Sequence, residues 1–62
     1  MYTMRQARDG VELSQEEMAE KLGVSLPTYN RYEREPKRMS VDILLKFSAI
    51  TGVGLDKLRL EG

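Results

Sequence analysis

Ser14-Gln15-Glu16-Glu17-Met18-Ala19-Glu20-Lys21-Leu22-Gly23-Val24-Ser25-Leu26-Pro27-Thr28-Tyr29-Asn30-Arg31-Tyr32-Glu33 holds two short helices and the turn that joins them. Ser14 is placed to accept a hydrogen bond from a free N–H of the first turn, and Glu17, three residues on, completes a capping box. Met18, Ala19 and Leu22 then recur at three- and four-residue spacing, a single apolar stripe. Gly23 stands where this helix must stop, because glycine takes positive φ without a steric penalty. Val24 is a buried hinge candidate, and Ser25 caps the next helix. Pro27 falls in that helix's first turn, where its missing N–H does no harm. Tyr29 and Tyr32 form its inner face, while Thr28, Asn30 and Arg31 point outward.

Working outward, Tyr2 to about Asp9 reads as a first helix, with Met4, Ala7 and, just beyond it, Val11 apolar and Arg5, Gln6 and Asp9 on the solvent side. Gly10 ends it, and Leu13 anchors the link to Ser14. Helix two runs from about Gln15 to Leu22 and helix three from about Leu26 to Arg34. Glu35-Pro36-Lys37-Arg38 is a polar connection, since Pro36 forbids a continuous helix. Ser40 caps a fourth helix, with Asp42 suited to the positive end of the helix dipole. Val41, Leu44, Leu45, Phe47 and Ile50 give that helix an apolar surface broad enough for near-complete burial, and Gly52 stops it. Gly54-Leu55-Asp56-Lys57-Leu58 opens a short fifth helix. The expectation is an all-α fold of five short helices around one core, with residues 1–62 forming a single domain.

Sixty-two residues allow one small domain, which buries only about 60% of its unfolded surface and is marginally stable. Cysteine is absent, so disulfides and thiolate metal sites are excluded; histidine is absent too, removing the commonest general base and metal ligand. The apolar runs are too short to span a bilayer and no signal-peptide pattern follows Met1, so no membrane partner and a cytoplasmic location are expected. Ten basic and ten acidic side chains cancel, yet they are unevenly placed. Glu12, Glu16, Glu17 and Glu20 crowd the second helix, and Arg31, Arg34, Lys37 and Arg38 crowd the third and its exit. An acidic side and a basic side are expected. Glu16, Glu17 and Glu20 are read as a solvated face rather than an acid/base pair, and no phosphate loop, nucleophile–base pair or metal spacing occurs. No catalytic site, cofactor or metal is expected.

A helix, a glycine turn and a second helix at a steep angle constitute a helix-turn-helix. Leu13 through Ser25 resembles the DNA-binding domain of phage repressors and Cro-type regulators, the xenobiotic-response-element family. Arg31-Tyr32-Glu33-Arg34 is similar to the family's aromatic–glutamate step at the end of the recognition helix. Met4-Arg5 through Arg8 resembles its first helix and Ser40 through Leu58 its last two. The resemblance implies a lambda-repressor-like fold and double-stranded DNA as partner. It also implies that Arg8 and Glu33 form a structural pair, and that Gln15 meets the DNA backbone and supports the base reader.

A recognition helix of this kind places its N-terminal outward side chains in the major groove. Here these are Leu26, Pro27, Thr28, Asn30 and Arg31. Arginine matches the O6/N7 edge of guanine and asparagine the N6/N7 edge of adenine. Leu26 and Pro27 depart from the polar pair many family members carry there; they can touch thymine methyls but cannot hydrogen-bond to bases. Thr28, Arg34, Lys37 and Arg38 are candidate phosphate contacts, set against the plain reading that such residues beside Glu33 and Glu35 are a solvated face.

The expected function is a sequence-specific transcriptional regulator, a repressor acting as a homodimer on a palindromic operator. Val53, Leu55, Leu58 and Leu60 form the candidate dimer patch, although Leu58 suits the domain's own core better. Two rivals share the fold: a protein-interaction module without strong DNA binding, and an antitoxin that binds both a toxin and its own operator. A protein partner such as a toxin or antirepressor belongs to those readings.

Overall fold

The computed structural model describes residues 1–60 and places four α-helices among them: α1 (Met4–Gly10), α2 (Gln15–Leu22), α3 (Leu26–Arg34) and α4 (Val41–Thr51). Each opens on a hydroxyl cap. Thr3 accepts from the Gln6 N–H at 3.1 Å while the Gln6 side chain accepts from the Thr3 N–H at 2.9 Å. Ser14 and Glu17 repeat this reciprocal box at 3.0 and 2.9 Å. Ser25 and Ser40 accept from Thr28 and Ile43. Helices of 7 to 11 residues are too short to persist alone in water, so these caps and the shared core hold them. The α2–α3 turn is closed by Gly23 at φ 74°, with the Gly23 and Val24 N–H groups donating to the Glu20 and Ala19 carbonyls. Gly52, at φ 73°, ends α4 in the same left-handed conformation.

The core comprises Met4, Ala7, Met18, Ala19, Leu22, Tyr29, Phe47 and Leu58. Every helix contributes, so none can dock without the others.

The structure corrects the sequence reading at several places. The chain around Gly54–Leu58 is not a helix: only Leu55–Lys57 form a single 3-10 turn. Five residues give too few hydrogen bonds to offset helix nucleation. Instead the backbone runs extended through Leu58 and bridges Tyr2 in parallel, with the Tyr2 N–H donating to Lys57 (2.8 Å) and the Arg59 N–H to Tyr2 (2.7 Å). Tyr2 is therefore a clasp between the two ends of the chain, and α1 begins two residues later. Gly10 is the last residue of α1, but the chain reverses at Val11–Glu12, and it is Glu12 that takes positive φ (58°). Glu35–Arg38 is a 3-10 turn over Pro36–Arg38 with Pro36 buried. Val24 is half-buried.

The helix α4 is less buried than its composition suggested. Phe47 and Thr51 are buried, and Ile43, Leu44 and Ile50 pack beside them, a stripe at i, i+1, i+4, i+7 and i+8. Val41 and Leu45 lie off that stripe and remain 70% and 50% exposed. Leu58 is buried at 2% exposure, and Val53 and Leu60 pack against the core. Of the four residues expected to form a dimer patch, only Leu55 is exposed. Leu58 is withdrawn from that patch, since its surface is already used by the domain itself. Among the described residues no helix is long and apolar enough to cross a membrane, and no group of three or more acidic residues is placed to hold a metal ion.

Candidate nucleic-acid interface

The orientation of α3 is set by a polar knot at its C-terminal end. Tyr29 and Glu33 are one turn apart and share the inner face. The Tyr29 hydroxyl donates to Glu33 Oε2 at 2.5 Å, and Arg8 of α1 donates its Nε–H to the same oxygen at 2.7 Å. Gln15, the first residue of α2, donates from Nε2 to Glu33 Oε1 at 2.9 Å. One carboxylate thus ties α1, α2 and α3 together. Arg8 also donates to the Leu13 carbonyl at 2.8 Å, which fixes the link between α1 and α2. The Arg8 and Glu33 side chains are each only 10% exposed.

Burial pushes the Glu33 carboxyl up, but the bonds from Arg8, Tyr29 and Gln15, with the charge of Arg8, outweigh it and hold its pKa below the usual carboxylate range. The bond to Glu33 raises Arg8 against the opposing effect of burial. Burial first, and then the bond to Glu33, push the Tyr29 phenol well above its ordinary value. All three groups therefore keep fixed protonation states near neutral pH.

With the inner face committed, the outer face of α3 is open. Pro27, Thr28, Arg31 and Arg34 recur at i, i+1, i+4 and i+7, and together with Tyr32 and Arg38 they line an open cleft of about 500 Å³. Arg34, Lys37 and Arg38 line a neighbouring one with Glu35. Arg34 also borders a third, with Arg5, Gln15, Asn30 and Glu33, so it sits where the clefts meet. Leu26 is 38% exposed and joins Arg5, Ser14, Gln15 and Glu16 on the α2 side.

All nine candidate contacts line clefts that join through Gln15 and Arg34, from Gln15 and Leu26 on the α2 side to Lys37 and Arg38 at the exit of α3. Asn30 differs from expectation in one respect. It lines the cleft with Gln15 and Arg34 rather than the one with Arg31, it is half-buried, and its Oδ1 is enclosed without a hydrogen-bond partner among the described residues. On α3, position 30 falls between the buried edge of Tyr29 and Glu33 and the open edge. The acidic and basic sides are also less separate than expected, because Glu16 reaches the cleft beside Gln15 and Leu26.

Sequence reasoning missed Arg5, which borders two clefts together with Gln15 and, among the described residues, makes a long, exposed ion pair with Asp9 at 3.9 Å. It also missed the hydrogen bond from Gln15 to Glu33, between residues eighteen positions apart. Arg5 precedes Arg8 by three residues in α1, which places both on adjoining faces; that spacing was the available signal.

Residues 4–58 match a protein-family model described as Helix-turn-helix. An uncharacterized HTH-type transcriptional regulator of Bacillus subtilis (strain 168), YobD, is 34% identical over 53 residues, which cover 86% of this chain and 47% of that protein. The chain thus spans about half the length of that relative. No solved structure matches.

Proposed function

The chain belongs to the helix-turn-helix family, and from that premise we propose that it is a sequence-specific binder of double-stranded DNA that regulates transcription. The observation that carries this reading is the division of labour on α3. Its inner face is locked through Glu33 to α1 and α2, and its outer face offers Arg31 and Arg34 to solvent beside Arg38, with the half-buried Thr28 along the same cleft. A rigid helix that presents donors and positive charge on its open side has the form needed to enter a major groove.

Within this reading, Arg31 reads a base edge, with Leu26 and Pro27 against thymine methyls. Gln15, Thr28, Arg34, Lys37 and Arg38 hold phosphates. Residues 1–62 act as one DNA-binding domain. One such unit covers few base pairs, so the regulator works as a homodimer whose recognition helices sit about 34 Å apart on a palindromic site. It represses by occupying DNA that polymerase would use, and its place is the cytoplasm. The YobD relative is named as a transcriptional regulator, which supports the same direction.

The test is binding to duplexes selected from a random pool, measured across salt. The three cationic phosphate contacts, Arg34, Lys37 and Arg38, give a slope of log K against log salt of about −3 per protomer. A symmetric selected site supports the dimer. Zero net charge and the exposed Leu26 favour a second reading, a protein-interaction module of the same fold. Absence of salt-sensitive binding to any duplex would leave only that one.

A further inference from the structure

Two tyrosines of α3 are treated differently by the fold. The Tyr29 ring is fully buried and its hydroxyl is used internally by Glu33. Tyr32 was expected to serve the core in the same way, but its ring is only half-buried against the core while its side chain lines the cationic cleft with Thr28, Arg31, Arg34 and Arg38. Its hydroxyl makes no hydrogen bond among the described residues. It is not enclosed either, since Asn30 Oδ1 is the buried side-chain atom left without a partner there. A phenol with its body anchored and its tip free is a rigid donor with little side-chain entropy left to lose.

We propose that Tyr32 is a DNA-backbone contact, donating its hydroxyl to a phosphate oxygen held in the cleft by Arg34 and Arg38. This rests on the DNA-binding reading above and adds to it a neutral donor among cations. Three guanidiniums line this cleft and, among the described residues, no carboxylate does, so an anion is the group its chemistry selects. Arginine forks and a phenol hydroxyl together can occupy more than one oxygen of a phosphodiester, fixing its position as well as attracting it. The hydroxyl releases no counterion on binding, and this separates its signature from that of the arginines.

The test compares the parent chain with Tyr32→Phe and Arg38→Ala on one selected duplex and one unrelated duplex, over a range of salt. Tyr32→Phe keeps the packed ring and should melt like the parent. It is expected to bind both duplexes roughly tenfold more weakly with an unchanged salt slope, whereas Arg38→Ala lowers the slope by about 1. In parallel, saturating duplex should shield Tyr32 from nitration while the exposed Tyr2 reacts as before. A Tyr32→Phe chain that binds like the parent, or Tyr32 nitrated equally fast with and without duplex, overturns this assignment and leaves the DNA-binding reading intact. A parent chain that binds no duplex overturns both.

Discussion

Replacing Glu33 by alanine removes the one acceptor shared by Arg8, Tyr29 and Gln15. Arg8 is then left 8% exposed with the neutral Leu13 carbonyl as its remaining partner inside the domain. Its pair with Asp9, at 3.4 Å, is to a carboxylate 59% exposed and is too solvated to replace Glu33. Stranding a buried charge costs about 3–5 kcal/mol. A domain of this length has roughly 3–9 kcal/mol of stability in all, so Glu33→Ala should leave it marginal or unfolded at 25 °C. Urea unfolding followed by far-UV circular dichroism measures this. With a slope of about 1 kcal/mol/M, the loss moves the midpoint by at least about 3 M or abolishes the transition. A second variant isolates the cause. Arg8→Met combined with Glu33→Leu replaces the ion pair by apolar groups of similar bulk, a change that is often neutral. It should recover most of the loss, except about 1–3 kcal/mol for the Tyr29 hydroxyl left without an acceptor. A Glu33→Ala chain that unfolds with the parent would refute the polar knot as a structural element. A double variant no more stable than the single one would refute the stranded charge as the reason.

Other consequences follow from the same geometry. Arg31→Ala should cost about 1–3 kcal/mol of affinity on the selected duplex and little on others if Arg31 reads a base; an equal loss on every duplex would make it a phosphate contact. Gln15→Ala should weaken binding while the urea midpoint falls only slightly, because Glu33 keeps its two stronger donors; unchanged affinity would remove Gln15 from the interface. Glu33 has a lowered folded-state pKa, so its contribution is fully present above its ordinary value of 4.5 and is lost as pH falls through the lower folded value. Stability should therefore fall with acid below about pH 4.5, and that dependence should be shallower in Glu33→Gln; identical acid profiles would contradict the linkage.

What was legible in the sequence was local. The Ser14–Glu17 box, the Gly23 turn, the Ser25 and Ser40 caps and the stop at Gly52 are each written in a few adjacent residues, and all are present. The α2 and α3 boundaries were readable for the same reason. The misreadings are where a distant segment decides. Tyr2 looks like the start of a helix until Lys57 and Arg59 take its backbone groups. Leu55–Lys57 looks like a helix until the same bridge draws the following residues out straight. Val41 and Leu45 look buried because α4 is apolar throughout, and only packing reveals which stripe is covered. Thr3–Gln6 was a local signal that was overlooked. At the candidate site, residue types were readable but directions were not: Asn30, one position from Arg31, lines a different cleft, with Gln15 and Arg34, and Tyr32 divides between core and cleft. A helix advances about 100° per residue, so a face boundary passing between neighbours cannot be placed without knowing what α3 packs on.

The zero net charge, which at first argues against a polyanionic partner, loses its force once charge is followed along α3. On the side of α3 that faces α1 and α2, Arg5 and Arg8 meet Glu16 and Glu33 in one cleft, and the balance is even. Around Arg34 and the Pro36–Arg38 turn, Arg34, Lys37 and Arg38 share a cleft with one described carboxylate, that of Glu35. The cleft of Arg31, Arg34 and Arg38 has no carboxylate in its lining among the described residues. Screening at physiological salt confines interactions between exposed charges to about 8 Å, well short of the domain's 25 × 22 × 18 Å extents. A phosphate at the Arg34–Arg38 end therefore meets the local excess and not the molecular sum.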